Sequence, residues 1–173
     1  SPSEAALAQY EMATVHRLLA QVDAAWQALD AAEPVAQQLG ATRWLSGIHY
    51  LRGNLCFARG DGAGCAREHQ QALDLALACG DALCEAQALS GLGDAHYAAG
   101  RMHSALAAFE RCVAACERAG ALRFAVMNRA MVGWCCCWHG RADDCRRELQ
   151  AAGEAAVALS HRNAEVMVTE SLE

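Results

Sequence analysis

Leu92-Gly93-Asp94-Ala95-His96-Tyr97-Ala98-Ala99-Gly100-Arg101-Met102, with Ala105 and Phe109 downstream, sets two glycines seven residues apart in a stretch otherwise made of helix formers. Both recur. Gly53, Gly93 and Gly133 form one series at a step of forty, and Gly60, Gly100 and Gly140 form a second. Gly40, Gly80 and Gly120 add a third in the same register. Such self-similarity marks an internal repeat. The intervening segments are rich in Ala, Leu, Glu, Gln and Arg, which favour helix. Each unit therefore reads as two antiparallel helices of about seventeen residues, closed by Gly near each C-terminus.

The expected helices are 3–20 and 23–39, 42–58 and 62–79, 82–99 and 102–119, and 122–138 and 142–159, with a partial helix over 161–173 that starts at Asn163. The fold expected is all-α, a right-handed solenoid of four helix-turn-helix units at about 1–40, 41–80, 81–120 and 121–160, forming one domain over 1–173. Ser1, Pro2 and Glu4 fit an N-terminal capping box. Gly62 and Gly64 are expected to loosen the start of the fourth helix.

The 173 residues carry 14 Lys+Arg against 20 Asp+Glu, a net charge of −6, and 54% are hydrophobic. That composition folds rather than staying disordered. The acidic balance argues against nucleic acid, whose phosphates need Lys and Arg. Every basic residue is Arg, so Schiff-base and phosphate-loop lysines are excluded. No apolar run reaches the ~20 residues of a membrane span, and no secretory leader is visible.

The third unit resembles the tetratricopeptide repeat. In that pattern a Leu-Gly pair sits in the first helix, here Leu92-Gly93, and a Gly follows at the turn, here Gly100. A small residue and an aromatic lie on the second helix, here Ala105 and Phe109. Gly93 is expected to let the second helix approach at Ala105, with Phe109 filling the space beside them. Gly53, Gly60, Cys65 and Ala72 match in unit two, and Gly133, Gly140, Cys145 and Ala152 in unit four. Unit one has Ala13, Ala20, Ala25 and Ala32 there, while His69 and Leu149 replace the aromatic. A narrower resemblance rests on His49-Tyr50-Leu51-Arg52-Gly53-Asn54, Ala88-Leu89-Ser90-Gly91-Leu92-Gly93-Asp94, Phe109-Glu110-Arg111-Cys112-Val113 and Asn128-Arg129-Ala130-Met131-Val132-Gly133-Trp134. These segments look like the C-terminal repeat region of bacterial proteins that carry a class III nucleotide cyclase and an ATPase module. That resemblance implies a regulatory segment of a larger chain.

Ten cysteines without any C-x-x-C pair read as small apolar residues in a reducing, cytoplasmic compartment. Cys112 with Cys116, and the triplet Cys135, Cys136 and Cys137, invite a thiolate metal site. Successive helical residues diverge by about 100°, so no metal or other cofactor is expected. His16, Cys56, His96 and Cys136 align once per unit, too far apart for one ion, and read as core positions. Glu68-His69 and Asp94 with His96 are acid–base candidates by type only. Outside any catalytic motif they read as solvated faces, and no enzyme is expected. Arg141 to Glu148 reads as an exposed face with local ion pairs.

Tetratricopeptide arrays bind in the concave groove lined by their first helices. The resemblance places Tyr10, Thr14 and Arg17, then Tyr50, Asn54 and Phe57, then Ser90, Asp94 and Tyr97 in that groove. Met127, Trp134, Cys137 and Trp138 follow from unit four. Trp134 and Trp138, four apart, share a helix face. The expected partner is a protein, a peptide or another domain of the same parent chain. A small-molecule sensor and a self-associating scaffold, a homodimer, are the alternatives. Asn54 matches the asparagine of the family's carboxylate clamp, but the lysines that clamp uses are absent, so chaperone-tail binding is not expected.

Overall fold

The computed structural model describes residues 1–160 and Val168, and all regular structure among them is helical. Eight helices run α1 Pro2–Leu18, α2 Val22–Gln38, α3 Thr42–Ala58, α4 Gly62–Cys79, α5 Ala82–Ala98, α6 Met102–Ala119, α7 Leu122–Trp138 and α8 Ala142–Ala158. Their ends fall within two residues of those expected. The expected partial helix over 161–173 lies outside the described residues, apart from Val168, which is helical and buried.

A residue with positive φ closes every helix, at twenty-residue intervals from Ala20 through Gly40, Gly60, Gly80, Gly100, Gly120 and Gly140 to Ser160. At Gly120 (φ 67°) the turn N–H groups fold back onto carbonyls of the last turn, Gly120 to Glu117 and Ala121 to Cys116. Ala20 and Ser160 hold the same conformation with a side chain, at a cost of about 1 kcal/mol each. The Ser1–Glu4 capping box forms, and Pro2 opens α1. Gly64 does more than loosen α4. Its N–H donates to Asp61 Oδ1 at 2.8 Å, and a side chain there would strike that carboxylate.

Helices pair α1 with α2, α3 with α4, α5 with α6 and α7 with α8, and each second helix also packs on the first helix of the next unit. The first helices approach one another too, α3 touching both α1 and α5, so they line the inner side of the array. Within each pair one large side chain from the second helix fills a gap left by a minimal residue on the first. A β-carbon on Gly93 would lie 2.6 Å from Cδ1 and 2.7 Å from Cζ of Phe109. The Phe109 ring thus fills the space beside Gly93, as expected. Gly133 meets Leu149 in the same way and Gly53 meets His69. Phe109, Leu149, His69 and, in unit one, Leu29 are all fully buried.

His69 is therefore a core residue, which corrects its reading as a solvated acid–base partner. Register places it at the Phe109 position, and register wins. Its ring sits between Gly53 and Gly91 with Tyr50 5.7 Å away, and Nδ1 has no hydrogen-bond partner. Burial pushes its pKa down to about 4, so the ring is neutral. Glu68 turns elsewhere, accepting from His49 at 2.8 Å, a contact that holds its carboxyl below the usual range.

Arg52 is buried between units one and two. It donates to Asp30 at 2.6 Å and pairs with Glu33 at 2.7 Å, with its guanidinium 5.7 Å from the Trp26 ring. Of the aligned His/Cys series, Cys56 and Cys136 are core, as expected. His16 and His96 are half-buried and bond across the following turn, His16 with Gln21 at 2.6 Å and His96 with Arg101 at 3.1 Å. The α8 face carries the expected local pairs, Arg141–Asp144, Arg147–Asp144 and Arg146–Asp143.

Candidate functional site: the inner face of the first helices

Four helices, α1, α3, α5 and α7, supply the inner face, and equivalent positions recur across it. At the N-terminal end Tyr10 of α1 lies across Gly47 of α3; a β-carbon on Gly47 would fall 3.0 Å from Tyr10 Cζ. The absent side chain lets the ring lie flat, and burial raises the phenol's pKa. Tyr10, Glu11, Arg43, Trp44 and Gln87 help to line a cavity of about 300 Å³ there. Arg43 is anchored to Asp81 at 2.7 Å, and Asp81 in turn caps α5.

One position further along, Thr14, Asn54, Asp94 and Trp134 repeat at a step of forty. Thr14 bonds its own helix through the Tyr10 carbonyl. Asn54 is half-buried and makes no hydrogen bond with any described residue. Asp94 is solvent-accessible. The protein around it pushes its carboxyl up to about 6, and it has no ion-pair partner among the described residues. Trp134 packs half-buried against the core of the last units. Tyr50 lies between the cores of units one to three, with its ring toward His69.

The expected lining divides at its next positions. Tyr97 and Trp138 come together, the indole Nε1 donating to the Tyr97 hydroxyl at 3.1 Å. Trp138 is 67% exposed, so it is a surface aromatic where Trp134 is partly core. Phe57 is exposed and stands at the turn edge beside Ala95, Ala98 and Ala99. Ala98 holds the place that Trp138 holds beside Tyr97, which leaves that pocket open, at about 400 Å³. Arg17 is half-buried, with Nε enclosed and without a hydrogen-bond partner among the described residues.

A covalent link was not expected from the sequence. Cys137 and Cys145 form a disulfide with Cα atoms 5.4 Å apart, which corrects the reading of both as thiols and of Cys137 as a free groove residue. It ties the last turn of α7 to the first turn of α8, directly beside Trp138. The signal was present: positions 137 and 145 are equivalent to Tyr97 and Ala105, which flank the same turn one unit earlier. Next to it the His139 ring stacks on His103 with centroids 4.1 Å apart. Cys112 and Cys116 are buried with sulfurs 4.0 Å apart, and Cys112 donates to the Ala86 carbonyl. Among the described residues no three His, Cys, Asp or Glu side chains gather to hold a metal ion. No described helix is long and apolar enough to cross a membrane.

A family model described as tetratricopeptide repeat matches residues 44–118, the span of α3 to α6. Over that span the chain carries tetratricopeptide-like repeats, and the eight described helices follow the same paired arrangement throughout. This tetratricopeptide-like array superposes on aspartyl phosphate phosphatase F from Bacillus subtilis with a TM-score of 0.91 at 13% identity, over 98% of this chain and 44% of that one. A Rap protein complexed with competence and sporulation factor gives 0.88 at 15% identity, over 97% and 47%. BtubC (BKLC) from P. vanneervenii gives 0.79 at 13%, over 92% and 66%. The chain thus spans less than half the length of the first two. At these identities the likeness is one of fold. No curated protein matches the sequence.

Proposed function

We propose that this tetratricopeptide-like segment is a non-catalytic recognition module that binds a protein or peptide along the inner face of α1, α3, α5 and α7. The observation that carries the reading is the occurrence, on the same set of helices, of unspent polar groups with one half-buried and one exposed aromatic. Asn54 and Asp94 sit at equivalent places on adjacent first helices with no hydrogen bond or ion pair to any described residue, and Tyr97 and Trp138 of the same set of helices are joined by a hydrogen bond. Rigid aromatics offer large contact area at small entropic cost, and unpaired polar groups give direction. A Rap protein of the same architecture is complexed with competence and sporulation factor, which supports reading such an array as a holder of a second molecule. In the narrower form of this proposal the partner is a cyclase or ATPase module of the same polypeptide, on the strength of the sequence resemblance described above.

The test is calorimetric titration of the segment with the remaining domains of its parent protein. Trp138→Ala, Tyr97→Ala and Asn54→Ala are compared with Arg146→Ala and Arg147→Ala on α8. Loss of a genuine aromatic anchor costs about 2 kcal/mol or more, roughly thirtyfold in affinity. Exposed ion-pairing arginines contribute little. If Arg147→Ala abolishes binding while folded Trp138→Ala and Tyr97→Ala bind normally, the inner face is not the site.

A further inference from the structure

The face of a first helix that meets the preceding unit is built from three positions, spaced four and three residues apart. In α3 they are Ile48, Arg52 and Leu55; in α5, Ala88, Leu92 and Ala95; in α7, Asn128, Val132 and Cys135. All nine are buried. They lie toward the second helix of the unit before: Arg52 pairs with Asp30 and Glu33 of α2, Leu92 shares a core cluster with Leu73 of α4, and Val132 shares one with Leu106 of α6. The same positions in α1 are Ala8, Met12 and Val15. There Met12 is 48% and Val15 54% exposed, where Arg52 and Leu55 are 9% and 1%. Two large apolar side chains thus stand in solvent on a surface that is sealed three times over elsewhere in the array.

We infer that the Ala8–Met12–Val15 face of α1 is a docking site for an amphipathic helix of the second-helix kind, supplied by polypeptide outside these 173 residues. The repeat itself specifies the occupant. It lies against α1 as α2, α4 and α6 lie against α3, α5 and α7, and it presents an uncharged stripe, since Met12 has no charge where Arg52 has one. A second copy of the chain has no such helix to offer. Its α2, α4 and α6 are each packed between two first helices. The corresponding side of α8 meets Val168, whose Cγ1 is 3.2 Å from where a β-carbon on Gly153 would lie. The solved structures with the same architecture extend well beyond the part that this chain matches. This site stands independently of the inner face.

The experiment supplies the missing helix from the protein's own stock. Residues Gly62–Gly80, α4 with its closing glycine, are joined directly ahead of Ser1, which then takes the capping place that Asp81 holds before α5. α4 suits the graft because Leu73 and Leu77 supply its stripe toward the next unit. Leu75, which shares the face of Glu68 on its other side, is changed to Gln in the graft (Leu75→Gln) so that no large apolar group is left uncovered there. The graft is expected to raise the thermal midpoint by about 4 °C or more, on the scale for chains of this size. It should also remove binding of an apolar dye, with the protein remaining monomeric. Met12→Glu with Val15→Glu should leave the ungrafted chain's midpoint within about 1 °C, as for surface substitutions, and abolish the gain in the grafted one. No rise, or a rise that survives the two glutamates, overturns the site. An ungrafted chain that sediments as a dimer, and dissociates with the two glutamates, assigns the face to a second copy and overturns the proposed occupant. Should the grafted chain not fold, the Gly62–Gly80 peptide is titrated against the natural chain. A saturable shift of the Met12 methyl resonance then supports docking, and an unmoved resonance overturns it.

Discussion

The imidazole of His69 fills the space that any side chain on Gly91 would need, its Cδ2 2.5 Å from where that β-carbon would lie. His69 belongs to α4 and Gly91 to α5, so a single ring closes the seam between two units while its other side rests on Gly53 of α3. The seam has no slack.

Gly91→Ala should therefore destabilise the array by about 1–3 kcal/mol through overpacking. Gly93→Ala should do the same against Phe109, and Phe109→Leu in that background should recover part of the loss, because Leu29 and Leu149 already fill this place in other units. Urea unfolding of the single and double variants measures both terms. Additive losses at Gly93 and Phe109 would contradict the contact.

Acid should weaken the fold through His69. Its folded pKa is about 4 against an ordinary value near 6.5. Between those values the unfolded chain takes up the proton and the folded one does not, so stability falls as pH drops from about 6.5 to 4 and levels off below. The loss amounts to about 3 kcal/mol. Asp94 acts in the opposite sense, since its carboxyl is raised to about 6 and its protonation favours the folded state as pH falls below that value. The difference between the natural chain and His69→Leu isolates the imidazole. Parallel pH–stability curves for the two proteins would refute the assignment.

Reduction should cost stability at the end of the array. The Cys137–Cys145 bridge closes a loop with a sequence separation of 8, which in the chain-entropy view contributes about 2.5 kcal/mol. A thiol reductant should lower the urea midpoint of the natural chain and leave Cys137→Ser unmoved. Alkylation and mass measurement before and after reduction should show a gain of two reactive thiols.

Trp138→Ala should cost less than about 1 kcal/mol of folding stability, because the indole is largely in solvent and its one bond is to an accessible hydroxyl. A loss several times larger in thermal unfolding would make Trp138 a packing residue and void its use as a binding probe.

Helix placement was legible because the turn residue is glycine at six of the eight positive-φ sites, and glycine is visible in a sequence. The pairing of Gly93 with Phe109 was legible, because a glycine on the first helix and an aromatic on the second announce a close contact. His69 sent two signals. Its register said core, its chemistry said solvent, and the gap between Gly53 and Gly91 decides for register. The buried Arg52 and the disulfide were not read, because each depends on which side chains meet between helices, and in the other units those places hold residues of unrelated chemistry. For the inner face, the family resemblance put Tyr97 and Trp138 on one surface as an expectation. Their mutual hydrogen bond required the end of α7 to be placed beside the end of α5.

The regular recurrence of a left-handed residue every twentieth position turns the chain into a ruler with a single permitted unit of length. Loss of one residue inside any helix rotates everything after it within that helix by about 100°, swinging the side chain that should enter the gap opposite Gly53, Gly93 or Gly133 out of line. Loss or gain of forty residues between equivalent turns leaves every such encounter in step. The array is thus far more tolerant of length changes by whole units than of the smallest ones.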